Sequence, residues 1–351
     1  MPKRRIPHQQ LRTVLREVFE ACSMPDDAAR IVADVLVETD LRAVHSHGAA
    51  LAGQYATALR AGSINAQARP TFVSDRGAAI VMDGDGAMGH LAASLAMQAA
   101  IDRARDLGIG AVAVTNTNHC GAAGHYARLA VNASMIGLVF TTAVPTMAPA
   151  GGRERTLGMN PIAIGVPALN EPPVVLDAAF AMAARGRVVL HAKSGQALPD
   201  GWALDAQGEP TTDPEEALDG LLQPIAGYKG SGLAVTVGLI ASVLGGAAFG
   251  SDLGNLTDGP VPHRDGLLAL AMDPAAFGDP GEIGARVDAA TASLRQTKPA
   301  EGNDRVLLPG DRAAASEEDY RQHGIPLPEP IVDALVTLCD ELGVDSSPIT
   351  S

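Results

Sequence analysis

The sequence contains few aromatic residues and few cysteines. Phe, Trp and Tyr make up 3% of its 351 residues, and Cys22, Cys120 and Cys339 are far apart with no Cys-x-x-Cys pair. This spacing indicates neither a zinc knuckle nor a disulfide framework, so we expect reduced thiols in a reducing compartment. The core must be largely aliphatic, and little material is available for stacking on bases or sugars.

Positive charge is also scarce. The chain has 26 Lys and Arg against 40 Asp and Glu, a net charge of −14, and no basic block. This balance argues against a nucleic-acid partner and against anionic membranes. The basic start at Lys3 leads into an amphipathic segment and not into the apolar region of a signal peptide, so we expect a cytoplasmic protein. The apolar stretch 232–249 contains four glycines and two hydroxyl residues, which favours a buried helix over a membrane span.

Apolar periodicity predicts a mixed α/β protein. Residues 8–41 have the spacing of two helices, and a third helix contains Tyr55. From Ala78 onward, short strand-like runs alternate with alanine-rich helical segments, which is typical of an α/β domain. The stretch 63–75 has a loop-like pattern, and 145–230 is rich in Gly and Pro. Near the end we expect a helix at 283–294, then a Pro/Gly loop, then a last helix at 331–342.

Residues 84–89, Gly-Asp-Gly-Ala-Met-Gly, match the dinucleotide fingerprint G-x-G-x-x-G. However, Asp83 and Asp85 place two negative charges where a pyrophosphate would lie, and the next strand-like run ends in Asn116 and not in an acid. We therefore interpret the motif as a glycine turn between a strand and a helix. A true Rossmann loop is the alternative, and it predicts that Gly86→Val abolishes cofactor binding.

Two clusters of histidines are candidate sites of chemistry. The first is His45-Ser46-His47-Gly48, and the second is Asn118-His119-Cys120-Gly121 with His125 nearby. Histidine is the natural proton donor near neutral pH, although any one of these histidines is more often structural. A metal site is the alternative, but no Glu-His or paired-acid spacing accompanies the clusters, so we predict no metal.

Three further segments have the composition of functional loops. Asp177 ends an apolar strand, where its carboxylate would either orient an imidazole or cap a helix. The segment 227–232, Gly-Tyr-Lys-Gly-Ser-Gly, opens the long apolar helix and has the makings of a phosphate cradle. A second glycine turn, Leu-Pro-Gly-Asp-Arg, covers 308–312. Glycine turns alone are not specific.

Taken in order, these segments resemble the malate/L-lactate dehydrogenase family of non-Rossmann type. That family also includes ureidoglycolate, sulfolactate and diketogulonate oxidoreductases and piperideine/pyrroline-2-carboxylate reductases. The matching segments cover nearly the whole chain: Asp40-Leu41-Arg42, Ser46-His47-Gly48, Tyr55, Asn118-His119, Gly121-Ala122-Ala123-Gly124, Asn160-Pro161, Leu176-Asp177, Pro199-Asp200-Gly201-Trp202, Thr211-Thr212-Asp213-Pro214, Gly227-Tyr228-Lys229-Gly230, Leu308-Pro309-Gly310 and Gly324-Ile325-Pro326-Leu327.

The resemblance implies a fold, a cofactor and a set of site residues. It implies an α/β fold with an unusual, largely antiparallel cofactor-binding sheet, NAD or NADP as cofactor, no metal, and a homodimer. We expect a helical unit from residues 1–75 plus 315–351 and a cofactor-binding and catalytic unit from 76–314. The implied catalytic residues are His47 as proton donor, Ser46, His119, and Asp177 paired with His47. The implied cofactor contacts are Val174, Val175, Leu176, Asp177, Ala178, Ala179, Phe180, Tyr228, Lys229, Gly310, Asp311 and Arg312.

The chain departs from the family pattern at two substrate positions. Leu51 stands where the family usually has an arginine for the substrate carboxylate, and Met159 stands where it usually has threonine. Loss of the guanidinium would remove a charge-assisted pair of about 2–5 kcal/mol, which disfavours simple 2-keto acids.

We therefore expect an NAD(P)H-dependent reductase that transfers a hydride to a C=O or C=N carbon of a keto-acid-like or cyclic imine substrate. Ser46, Leu51 and Met159 are the predicted substrate contacts. The alternative is a non-catalytic paralogue that binds a ligand or partner. The retained His47 and His119 speak against that alternative.

Overall fold

A computed structural model describes residues 3–256 and 262–350. The helices are α1 (His8–Ala21), α2 (Asp26–Leu41), α3 (Ala52–Ala61), α4 (Gly89–Leu107), α5 (Ala123–Asn132), α6 (Arg185–Ser194), α7 (Pro214–Asp219), α8 (Tyr228–Val243), α9 (Pro280–Arg295), α10 (Asp311–His323), α11 (Glu329–Leu342) and α12 (Ser347–Thr350). The strands are β1 (Lys3–Ile6), β2 (Thr71–Arg76), β3 (Ala79–Ala87), β4 (Ile109–Thr117), β5 (Ile136–Thr141), β6 (Pro145–Met147), β7 (Leu157–Gly158), β8 (Ile162–Val166), β9 (Val174–Ala178), β10 (Ala203–Leu204), β11 (Pro210–Thr211), β12 (Leu221–Leu222), β13 (Asp265–Met272) and β14 (Ile325–Pro328).

The central sheet has seven strands in the order β2-β3-β4-β13-β5-β8-β9. Strands β3 and β4 pair in parallel, and the other five pairs of neighbours are antiparallel. The predicted non-Rossmann, largely antiparallel sheet is therefore confirmed. Because β13 enters between β4 and β5, a strand from late in the chain lies next to the strand that leads to His119.

The main hydrophobic core joins the terminal helices to this sheet. It runs from Ile6 to Ile349 and combines buried side chains of α1, α2 and α11 with those of α4, α5 and the sheet strands. It is aliphatic and rich in alanine, as the composition predicts. A second, smaller core is formed by residues of the Gly- and Pro-rich stretch 145–230 and of α8, and it includes Met147, Phe180 and Val237. The division into 1–75 plus 315–351 and 76–314 stays a prediction.

The predicted N-terminal helices are confirmed as α1, α2 and α3. The apolar spacing predicts α1 because Leu11, Val14, Leu15 and Val18 all become buried on one helix face. The long apolar stretch forms α8, which ends at Val243. Among the described residues, no helix is long and apolar enough to cross a membrane.

Two elements lie where the sequence pattern indicates loops. The stretch 63–75 contains most of β2, an edge strand whose residues are nearly all exposed and so lack apolar alternation. The loop expected before the last helix contains α10, which buries no residue fully. Charge holds this helix in place, because the Glu317 carboxylate lies 2.9 Å from Arg42 and 3.0 Å from Arg128, both outside the helix. Within α10, Arg321 lies 2.8 Å from the same carboxylate.

We predict that Glu317→Ala lowers the free energy of unfolding by about 2 kcal/mol, since two largely buried guanidinium groups lose their partner. Burial opposes ionisation, but hydrogen bonds from Arg321 and Arg42 and the charge of Arg128 hold the pKa of Glu317 below its ordinary value. Its contribution is therefore full above the pKa of an unfolded glutamate and is lost as the pH falls through the folded pKa. Urea unfolding at several pH values tests this.

The matched control is Glu318→Ala on the same helix, where the side chain is exposed. We expect this change to stay within about 0.5 kcal/mol of the parent. Equal losses in the two variants would contradict the role assigned to Glu317.

Candidate active site

Asp40 fixes the loop that carries the first histidine cluster. It lies in the last turn of α2 with no exposed surface, and a short 3-10 turn, His45–His47, follows. One carboxylate oxygen of Asp40 is 2.7 Å from His45 Nδ1, and the other accepts a 2.7 Å hydrogen bond from the Ala49 N–H. The two bonds hold the chain on both sides of His47.

Gly48 has to be glycine because it lies against this carboxylate. A Cβ atom at Gly48 would stand 2.3 Å from Asp40 Oδ2, far inside van der Waals contact. The carboxylate therefore reaches the Ala49 N–H only because residue 48 has no side chain. The close approach of the buried Asp40 therefore explains the glycine of the Ser-His-Gly motif.

His47 is partly exposed and lies opposite His119. Its Nδ1 is 2.8 Å from Ser46 Oγ, and the two imidazole centroids are 5.8 Å apart. Burial lowers the pKa of His47 below its ordinary value. A small molecule bound at the edges of the two rings would contact both.

His119 has a different environment from His47. Its Nδ1 is 2.7 Å from the hydroxyl of Tyr55, a fully buried residue of α3. Burial, with smaller effects from His47 and His263, lowers the pKa of His119 to about 3. His119 is therefore neutral over the ordinary pH range, and His47 is the better placed of the two to carry a proton.

Asp177 does not bond His47, contrary to the pairing that the resemblance implies. Asp177 Oδ2 accepts a 2.8 Å hydrogen bond from the Gly124 N–H in the first turn of α5, while His47 Nδ1 faces Ser46. This geometry agrees with the alternative of a helix cap. Burial raises the pKa of Asp177, and the Gly124 N–H and the charge of Arg42 oppose that rise.

The predicted cofactor segments converge on β9. The Val175 N–H donates to Pro309 O at 2.9 Å, and Gly310 packs against the Val175 backbone with a positive φ of 97°. The chain beyond β9 is joined to the segment before α8, because the Ile225 N–H donates to Phe180 O at 2.9 Å. The structure thus brings three distant stretches of sequence together.

The side chains predicted to contact the cofactor near β9 differ in their exposure and in their existing partners. Tyr228 and Lys229 are exposed in the first turn of α8, where helix N–H groups are free to bind an anion. Arg312 is also exposed. Asp311 is instead occupied by an ion pair, with 2.8 Å separating its carboxylate from Arg295. Its direct part in cofactor binding stays a prediction.

Leu51 and Met159, the two residues that depart from the family pattern, also lie in apolar surroundings. Leu51 ends the 3-10 turn Ala49–Leu51 and packs on the main core, while Met159 packs on the second core. The Met159 carbonyl accepts a 3.0 Å hydrogen bond from the Phe180 N–H, which ties it to the end of β9.

The glycine motif at 84–89 lies mostly inside β3 and not in a separate turn, because β3 continues to Ala87 and α4 begins at Gly89. The predicted glycine turn is instead a bulge, with positive φ at Asp85 and Gly86 and a shift in the pairing with β4. The side chain before the motif holds this bulge: Asp83 Oδ1 accepts from the Asp85 N–H at 2.8 Å and from Asn116 Nδ2 at 2.9 Å. A Cβ at Gly89 would lie 2.0 Å from the Asn118 carbonyl oxygen. This last glycine therefore allows α4 to pack against the loop that carries His119.

Sequence reasoning assigned no role to four residues around the site. Asp40 and Arg42 lie in the matched Asp-Leu-Arg segment, which was the available signal, and Glu317 lies in polar α10. The fourth, His90, is fully buried edge-on to Tyr55, and neither of its ring nitrogens has a partner among the described residues. The described residues contain no group of three His, Cys, Asp or Glu that could hold a metal ion.

Comparisons with known proteins agree with this architecture. The family described as malate/L-lactate dehydrogenase matches residues 6–336. The L-sulfolactate dehydrogenase of Methanothermobacter thermautotrophicus is 36% identical over 97% of each chain. The (2R)-3-sulfolactate dehydrogenase (NADP(+)) of Chromohalobacter salexigens is 33% identical over 95% of this chain and 97% of that one. The solved sulfolactate dehydrogenase of Methanocaldococcus jannaschii superposes with a TM-score of 0.92 at 34% identity, covering 98% of this chain and 99% of that one.

The family match and the dehydrogenase relatives thus support an oxidoreductase that acts on a small molecule. The chain belongs to the malate/L-lactate dehydrogenase family. Its dehydrogenase relatives imply a nicotinamide cofactor.

We predict that Gly48→Ala lowers oxidoreductase activity by about 100-fold, because the added methyl group displaces Asp40 and with it the His47 loop. The free energy of unfolding should also fall by about 1–3 kcal/mol from overpacking. Steady-state kinetics and urea unfolding measure the two effects.

Gly53→Ala is the control, since a Cβ there meets no atom within 4 Å. We expect parental activity and equal or slightly higher stability in this variant. A fully active Gly48→Ala would show that the Asp40 contact does not position His47.

Proposed function

We propose that this protein transfers a hydride from NADH or NADPH to the C=O or C=N carbon of a small keto-acid-like or cyclic imine substrate, with His47 as the proton donor. The observation that carries the proposal is the contrast between the two facing imidazoles. His47 lies beside the exposed hydroxyl of Ser46, while His119 lies beside the hydroxyl of the fully buried Tyr55, and burial lowers the pKa of His119 to about 3. One ring can therefore deliver a proton and the other can hydrogen-bond the substrate.

The surface around β9 fits a nicotinamide cofactor. The exposed first turn of α8 offers Lys229 and backbone N–H groups to phosphate, and the Gly310 turn allows backbone approach beside Val175. The bound cofactor would supply the hydride. Ser46 and His47 would hold the reacting oxygen or nitrogen, and the protein side chains would exclude water from it.

Leu51 and Met159 narrow the substrate class. Because no guanidinium occupies position 51, we propose a substrate less anionic or larger than a simple dicarboxylate, with a cyclic imine as one candidate. The resemblance to the family also supports a homodimer, the scattered cysteines support a cytoplasmic location, and both belong to the proposal.

A non-catalytic paralogue is the second candidate, motivated by the same two apolar positions. Screening 2-keto acids and cyclic imine carboxylates for oxidation of NADH and NADPH separates the two functions. Intact cofactor binding with no turnover on any substrate would favour the paralogue.

We predict that His47→Ala lowers kcat by about 10²–10⁴-fold, the usual contribution of a positioned general acid. The Kd of NADH and NADPH, measured by fluorescence titration, should change less than about twofold, a small fraction of the roughly 1.4 kcal/mol that a tenfold change requires. His8→Ala, at the start of α1, is the control and should retain full activity. Loss of cofactor binding in His47→Ala, or full turnover, would contradict the assignment.

We also predict opposite pH profiles for the two directions of the reaction. Reduction needs protonated His47, so its kcat/KM should fall as the pH rises through a pKa below about 6.5. Oxidation needs the neutral ring, so its kcat/KM should rise through the same pKa and stay constant above it. A limiting pKa clearly above 7 would indicate another group.

A further inference from the structure

A second histidine–carboxylate pair lies buried near the candidate site. His263 and Asp265 are 3% and 5% exposed, and His263 Nδ1 is 3.1 Å from Asp265 Oδ2. The other carboxylate oxygen accepts a 3.2 Å hydrogen bond from Thr142 Oγ1. Every oxygen of the carboxylate is thus bonded, and its position is fixed.

The pair is located where His119 leaves the sheet. Asp265 is the first residue of β13, and its Cα pairs with that of Thr117 at the end of β4, two residues before His119. Thr142 directly follows β5, the other neighbour of β13. The charge of His263 affects the pKa of His119, and the charge of Asp265 affects that of Tyr55, which agrees with this placement.

The remaining nitrogen of His263 has no bonding partner in the part of the chain that the structure describes. Nε2 is buried and meets no donor or acceptor among residues 3–256 and 262–350. A buried polar atom without a hydrogen bond costs free energy unless a ligand or water supplies one. By donating Nδ1–H to the carboxylate, the ring leaves Nε2 as a strengthened acceptor.

Two other histidines, His323 and His90, each differ from His263 in burial or in hydrogen-bond partners. His323 forms a similar pair with Asp319 at 2.8 Å, but on an exposed surface where water reaches the ring. His90 is buried and unpartnered, but no carboxylate orients it. His263 alone of these three combines burial, an orienting acid and a free nitrogen.

We propose that His263 is a substrate-binding residue that accepts a hydrogen bond from a hydroxyl or N–H group of the substrate, and that Asp265 is its positioning residue. This inference rests on the proposed function and narrows it. The site selects a substrate with a hydrogen-bond donor close to the reacting carbon, which compensates for the missing guanidinium at Leu51.

The test compares pyruvate with hydroxypyruvate, which share the 2-keto acid group and differ in one hydroxyl donor. The wild-type protein with NADH or NADPH should favour hydroxypyruvate at least about tenfold in kcat/KM, because a buried acceptor left unpaired penalises the analogue that lacks the donor. His263→Leu should remove this preference, because leucine offers no acceptor to the extra hydroxyl of hydroxypyruvate and leaves no unpaired nitrogen against pyruvate. The ratio of the two kcat/KM values should therefore approach one.

Two further variants guard against effects on folding. His263→Gln retains an acceptor and should keep part of the preference, so a result remains available if the leucine variant does not fold. His323→Leu removes the exposed His–Asp pair and should leave the preference intact. Circular dichroism and thermal unfolding establish that each variant is folded.

An active, folded His263→Leu or His263→Gln with the full wild-type preference would overturn this role for His263 and leave the proposed function standing. A change confined to the Kd of NADH or NADPH would also overturn it, because it would place the ring at the cofactor. Absence of NAD(P)H oxidation by the wild-type protein with every keto acid and cyclic imine would overturn the proposed function and this inference with it.

Discussion

The carboxylate of Asp40 is the interaction on which the site depends. It is buried, and its two oxygens bond a side chain and a backbone N–H on either side of His47. Burial raises the pKa of Asp40, and the hydrogen bonds from His45 and the Ala49 N–H oppose that rise. Removing one partner of such a buried group is costly, because the remaining polar group stays unsolvated. The loop is therefore held in one conformation before any ligand binds.

A second set of charges connects this loop to the end of the chain. Arg42 directly follows α2 and pairs with Glu317 of α10, which also contacts Arg128 of α5. The same α5 receives Asp177 at its first turn. The helices that carry or border the site are thus joined by acids and bases, while the aliphatic core beneath them supplies most of the burial.

Much of the fold could be predicted from the sequence, but less of the site. Apolar periodicity predicted α1 and α2, because buried faces repeat at the helical spacing, and the alanine-rich segments between strand-like runs predicted helices such as α4. It missed β2 and α10, since an exposed edge strand and a helix held by charge have no such repeat.

The site residues divide in the same way. His47 and His119 were recognisable because histidines cluster in two short motifs, and the structure places their ring centroids 5.8 Å apart. The partner of Asp177 could not be predicted, since strand-end acids orient imidazoles and cap helices equally well, and only three-dimensional placement decides between them. Neither His263 nor Asp265 belongs to a local motif, because their meaning depends on β13 lying beside β4.

The Arg42–Glu317 ion pair joins residues 275 positions apart. During synthesis Arg42 and the histidine loop leave the ribosome long before Glu317 is added. The nascent chain therefore carries Arg42 without its ion-pair partner. This ion pair therefore cannot form until α10 has been synthesised. A protease that cut the chain ahead of Glu317 would leave most of the sheet present and the loop without its outer support.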